Sequence, residues 1–266
     1  MILKSKHIML VIALMTLCGV ANTAHAQGLG QGIPTKVMVR AVSRDAKVIG
    51  TRVGGARITI RDVSNGIILA EGIQKGETGS TDQIMVQPRK RGAAIFDTPG
   101  TAGLLTTVML KRPTIVEVVA EGPLGTPQSK QRVSKTLLLV PGQDVLGDGI
   151  VLEIHGFTVT LLAPNADTGR LSVGKPLEVR AGVTLTCGCP TEPGGIWNSD
   201  KIKVIARVVR DGKVVGEVPL KYAGVSSTYT GQLILKDTGP TALEVLAMDV
   251  ANANFGLISR DVTVVR

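Results

Sequence analysis

Apolar residues in this chain alternate with polar ones over short runs, and Gly, Pro, Asn or Asp interrupts each run before it can lengthen. In Lys201–Arg207, Ile202, Val204 and Ala206 oppose Lys201, Lys203 and Arg207. In Lys36–Val42, Val37, Val39 and Ala41 oppose Lys36 and Arg40, and in Ala56–Val63, Ile58 and Ile60 oppose Arg57 and Arg61. A side-chain period of two marks a strand with one face buried. Apolar residues never recur at helical spacing through several turns, so helical bundles are excluded. The pattern predicts an all-β chain of two tandem antiparallel β-sandwich domains after a cleaved signal peptide.

That signal peptide is residues 1–26. Lys4 and Lys6 form a basic head, Ile8–Val20 is apolar, and Ala24-His25-Ala26 is a small-x-small cleavage site. The apolar run is too short to span a bilayer comfortably and nothing later approaches the required length, so no transmembrane segment is expected. The expected location is therefore exported, either periplasmic or extracellular. Of three cysteines, Cys18 leaves with the leader, which excludes a scaffold stapled by many disulfides. Of three histidines, His7 and His25 leave, and His155 alone cannot furnish a Ser-His-Asp triad or a His-rich zinc site. The aromatic fraction of 2% is too small to build stacking platforms, so nucleic acid is not an expected partner. The net charge of +9 suits anionic surface polymers as well as plain solubility.

Residues 27–154 form the first expected domain. Beyond the runs above, strands are read at Ile67–Ala70, Ile84–Val86, Ala93–Phe96, Leu105–Leu110, Thr114–Ala120, Thr136–Val140 and Ile150–Ile154. Ser64-Asn65-Gly66 is a hairpin turn, because Asn and Gly accept positive φ. Pro88–Arg91 and the trio Lys130, Arg132 and Lys135 read as solvated basic loops. Gly147-Asp148-Gly149 reads as a polar turn, since the EF-hand ligand spacing is absent. Gly55–Asp62, the Asn65-Gly66 turn, Gly92–Phe96 and Pro113–Val118 together resemble a transthyretin-like, or carboxypeptidase regulatory-like, β-sandwich. That resemblance implies a non-catalytic module, interrupted here by the extra stretches Gln74–Asp82 and Gly122–Lys135.

Residues 155–266 form the second. Strands are read at Phe157–Ala163, Leu177–Leu185, Lys201–Val209, Val214–Leu220, Thr228–Leu235, Ala242–Met248 and Leu257–Val265, with a turn at Asp211-Gly212. Arg210–Leu220, Tyr229-Thr230-Gly231 and the stretch from Ala247-Met248-Asp249 to Gly256 resemble bacterial immunoglobulin-like modules. That resemblance implies a sandwich fold and is silent on function.

The chemistry concentrates in Gly182–Trp197, which holds Cys187-Gly188-Cys189-Pro190 and the chain's one tryptophan. In immunoglobulin order, Thr186–Asp200 joins the second and third strands and Val250–Gly256 joins the last two. Both loops then lie at the end where the chain enters, at His155-Gly156. Cys187, Cys189, His155, Trp197, Asn252, Asn254 and Phe255 are therefore expected to gather against the first domain. The cysteines could bridge each other, exchange disulfides, or hold Cu(I) or zinc with His155 as a third ligand. Trp197, Asn252, Asn254 and Phe255 are candidates for contact with a partner. The expected function is a non-catalytic interaction or structural accessory of the cell envelope, acting on other envelope proteins. A periplasmic Cu(I)- or zinc-handling protein and a periplasmic assembly chaperone are the alternatives.

Overall fold

A computed structural model describes residues 32–165 and 170–266. The expected signal peptide, with Cys18 and His25, lies outside the described residues. Among those described, no helix is long and apolar enough to cross a membrane. The fold is all-β.

The first half contributes seven strands: β1 (Ile33–Ser43), β2 (Ala56–Asp62), β3 (Ile68–Gln74), β4 (Leu104–Leu110), β5 (Thr114–Gly122), β6 (Gln131–Leu139) and β7 (Val145–Ile154). They form two sheets, β4-β1-β7 and β3-β2-β5-β6, in which only the β1–β7 pair is parallel. The alternation seen in the sequence is what fills the space between them. Val37, Val39 and Ala41 of β1 meet Ile58 and Ile60 of β2 and Val116 and Val118 of β5 in one core. Each such Val or Ile side chain contributes about 1.5–3 kcal/mol by leaving water.

Between β3 and β4 the chain departs from the expected strands. Ile84–Val86 lies in a single π turn, Asp82–Val86, and Ala93–Phe96 is a loop. Asp148 on β7 accounts for the loop. Its carboxylate accepts from the N–H groups of Ile95 (2.8 Å), Phe96 (2.7 Å) and Asp97 (2.9 Å). A side chain thus takes the donors that a neighbouring strand would otherwise have satisfied. Gly147 and Gly149 flank it at φ 66° and 69°. There the β1–β7 register shifts, between Val37 and Val39. The buried Arg40 guanidinium donates to Asp97 (2.9 Å) and to the carbonyl of Gly147. The excursion covers the outer face of the three-stranded sheet, with Val42, Val48, Ile84, Phe96 and Ala102 making a small second core.

The basic trio beyond β5 also lies differently from its expected loop. Arg132 and Lys135 belong to β6, an edge strand that starts at Gln131 rather than Thr136. Arg132 faces Glu121 at 3.7 Å, and Lys135 Nζ donates to the carbonyl of Val151 (2.9 Å). Cationic side chains on an exposed edge discourage pairing with other chains.

The second half contributes β8 (Phe157–Ala163), β9 (Arg170–Ser172), β10 (Pro176–Leu185), β11 (Lys203–Arg210), β12 (Lys213–Tyr222), β13 (Thr228–Ile234), β14 (Gly239–Asp249) and β15 (Asn254–Val265). Strands β8-β10-β13 face β12-β11-β14-β15-β9, with β12 also touching β13 through Lys221–Thr230 and Tyr222–Tyr229. This is an immunoglobulin-like β-sandwich. All seven expected strands are present, and the short β9 is additional. Arg207 and Glu244 stand opposite each other on β11 and β14 and join at 2.7 Å.

One buried amide clips the first sandwich together. Gln74, at the end of β3, is fully buried; its Oε1 accepts from Ala41 N (2.7 Å), and its Nε2 donates to Ala41 O (2.9 Å) and Ile49 O (2.8 Å). Replacing it by Leu strands these backbone groups. We expect Gln74→Leu to lower the unfolding free energy by roughly 2–4 kcal/mol in urea denaturation, whereas Gln143→Leu, exposed on the turn before β7, leaves it within about 0.5 kcal/mol.

Candidate functional site

The loop Thr186–Asp200 joins β10 to β11 and packs against the first half. Its beginning is a closed knot. Gly188 takes φ 77°, Gly188 N donates to Leu185 O (2.8 Å), and Leu185 N donates to Cys189 O (3.1 Å). Those constraints bring Cys187 and Cys189 together, and their sulfurs are bonded. Both are buried within the core of the second sandwich. Thr191 then ties the loop to two strands: its Oγ1 donates to Val183 O (3.0 Å) and accepts from Tyr229 OH (3.0 Å), and its N–H reaches Ser227 Oγ (3.0 Å).

The second part of the loop presents Trp197. Asn198 Oδ1 accepts from Gly194 N and Asp200 N, each at 3.0 Å, and Glu192 N donates to Trp197 O (3.1 Å). The held indole donates through Nε1 to Asp45 O (3.0 Å). Asp45 belongs to a tight turn that ends β1, in which Ser43 N donates to Lys47 O (2.9 Å) and Ala46 N to Ser43 O (3.1 Å). Ala46 itself is part of the second sandwich's core. Asn254, nearly fully buried, completes the seam: its Oδ1 accepts from Gly156 N (2.8 Å) and its Nδ2 donates to Arg44 O (3.3 Å). Across the same seam, a Cβ on Gly188 would stand 2.8 Å from Val53 Cγ1.

The gathering expected from the sequence is therefore partly realised. Trp197 and Asn254 bond the first half directly, and Cys187 and Cys189 line a cavity whose other wall is the first half. Asn252 is bonded within its own turn, donating from Nδ2 to Asp249 (2.8 Å), and lines a small cavity with Asp45, Trp197 and Asn254. Phe255, half exposed, lines a separate groove with Gln128, Gln131, Met248 and Leu257. His155 is apart from the sulfurs: its Nδ1 is 3.3 Å from Ala253 O, its Nε2 is 3.7 Å from Glu153, and it does not line the cavity beside the disulfide. The ligand set Cys187, Cys189 and His155 is thus not assembled, since each sulfur is spent on the other. Among the described residues no three metal-binding side chains converge. Thr191, Asp45 and Arg44 are functional parts of this seam that sequence reasoning missed. Two of them act through backbone carbonyls, which carry no side-chain signature.

Beside the disulfide the seam opens into a cavity of about 400 Å³, with walls from both halves. Lys47 enters it from the β1 turn, donating from Nζ to Thr81 Oγ1 (2.9 Å) and Gly79 O (3.3 Å). Burial holds the Lys47 amine below its ordinary pKa; the Arg52 charge pushes the same way and Glu77 opposes it. Burial also raises the Tyr229 phenol, partly offset by its bond to Thr191.

No family model matches the chain, and no curated protein matches it. Solved structures overlap it shallowly. An engineered protein is 21% identical over 48% of this chain, which spans 24% of that protein, with a TM-score of 0.31. Fibronectin(III)-like modules of Clostridium thermocellum CbhA are 13% identical over 87% of this chain and 93% of theirs, with a TM-score of 0.27. Domains 4 and 5 of the S-layer protein SbsC are 11% identical over 88% of this chain and 100% of theirs, with a TM-score of 0.27. The fold assignment stands on this chain's own strand order.

Two outcomes follow from the knot. Gly188→Ala adds a Cβ at positive φ against Val53, and is expected to cost roughly 1–3 kcal/mol in thermal or urea unfolding, with Gly194→Ala on the open turn as the comparison. Because the folded chain holds the Tyr229 proton more tightly than the unfolded chain does, unfolding is favoured once the unfolded phenol ionises, above about pH 10. Stability should fall with rising pH there, and Tyr229→Phe should flatten that fall.

Proposed function

We propose that the mature chain is an exported, non-catalytic interaction or structural accessory of the cell envelope, built from a transthyretin-like module (27–154) and an immunoglobulin-like module (155–266). The observation that carries this reading is the seam. Ala46 enters the second core, and the carbonyls of Arg44 and Asp45 are held by Asn254 and Trp197. Such a joint holds two sandwiches at a set separation, which suits a spacer or docking platform more than a hinge that opens and closes on a substrate. The leader at residues 1–26 supports export, and the cationic balance supports contact with anionic surfaces.

The test is made in a bacterial envelope with the full precursor. Intact mass should show the chain starting at Gln27, and photo-crosslinkers placed on exposed strand positions should trap a defined envelope protein. Asn254→Ala with Trp197→Phe, which removes the bonds to Arg44 O and Asp45 O while keeping a ring against the second core, should diminish that crosslink. A cytoplasmic, uncleaved chain would overturn the export reading. Turnover of an envelope polymer by the purified protein would overturn the non-catalytic one.

A further inference from the structure

The seam cavity has chemistry that the spacer role does not use. One side is cationic. Lys47 spends two of its three N–H donors on Thr81 and Gly79, and one remains. Arg52, exposed at the rim on the Thr51–Val53 turn, has no ion-pair partner among the described residues. Glu77 is the one carboxylate in the lining, so the site carries one surplus positive charge. The other side is apolar and comes from the second half. It consists of the Cys187–Cys189 disulfide, Pro190 and Trp197, whose only polar group is already bonded to Asp45. Its volume lies within the range of small-ligand pockets, roughly 300–1,000 Å³.

We propose that this cavity binds a small monoanionic amphiphile, a carboxylate with a short apolar body, whose charge lies between Arg52 and Lys47 and whose body lies against Trp197 and the disulfide. One surplus charge selects a monoanion, because a dianion would be left partly uncompensated in a half-enclosed site. Burial is the main cause of the depressed basicity of Lys47, and the Arg52 charge adds to it; an anion between the two cations offsets that added repulsion.

The chain's one tryptophan lies in the wall, so its emission reports occupancy without a label. The full mature protein is titrated with octanoate, with octanamide as the uncharged analogue and inorganic phosphate as the compact dianion, and calorimetry confirms each affinity. Octanoate should change Trp197 emission saturably at low millimolar concentration or below. Octanamide and phosphate should bind at least about tenfold more weakly. Arg52→Gln, on an exposed side chain, should weaken octanoate about fivefold, and Glu77→Gln should strengthen it, because a competing carboxylate is gone. Absence of saturation up to about 20 mM octanoate would overturn the proposal. Equal binding of octanamide, or octanoate binding indifferent to both variants, would overturn it as well.

Discussion

The arrangement of this protein depends on one tight turn, Arg44–Lys47, pressed from the end of β1 into the second sandwich. A buried turn is costly unless its main-chain polar groups find partners. Here each does. Arg44 N donates to Ile154 O, Arg44 O receives Asn254, Asp45 O receives the Trp197 indole, and Ala46 places a bare methyl in the second core. A larger residue at position 46 would not fit, and a smaller Trp197 would leave a carbonyl unpaired. The indole of Trp197 and the amide of Asn254 are the groups that satisfy this insertion from the second half.

The same device, a polar side chain serving backbone groups far away in sequence, recurs wherever the sheets alone are insufficient. Gln74 joins the two sheets of the first sandwich through three backbone bonds, and Asp148 gathers three successive N–H groups of the excursion. With so few aromatic rings, the cores are filled by Val, Ile, Leu and Ala, which pack well but impose little orientation. Buried, fully paired polar groups supply that orientation, because a misplaced sheet would leave them unsatisfied.

This division explains what could be read from residues alone. The strands are legible because a period of two is a local signal: Val204 and Ala206 against Lys203 and Arg207 betray β11 without reference to anything else. Ala93–Phe96 has the same composition as a strand, and became a loop only because Asp148 lies 52 residues away from Phe96 to claim its donors. The three residues of β9 are too few to show a period. In the seam, the cysteine loop was found because its residue types are rare in this chain. Asn254 was singled out for its loop, yet its contact with Arg44 O spans 210 positions and is a property of the assembled fold. Residue types alone leave open whether Cys187 and Cys189 bridge each other, exchange disulfides or hold a metal with His155; the closed turn at Gly188 directs each sulfur to its near neighbour.

The parallel pairing of β1 with β7 has a mechanical side. Val37 lies beside Val145 and Ser43 beside Ile154, so the residue where β1 begins and the residue where β7 hands over to the second half sit at opposite ends of the ladder. Tension applied between those two points drags the strands past each other and loads every rung at once, instead of peeling rungs apart in turn. Anchored at one end and pulled at the other, the first sandwich would yield in shear, the geometry in which a ladder of weak bonds withstands the greatest force.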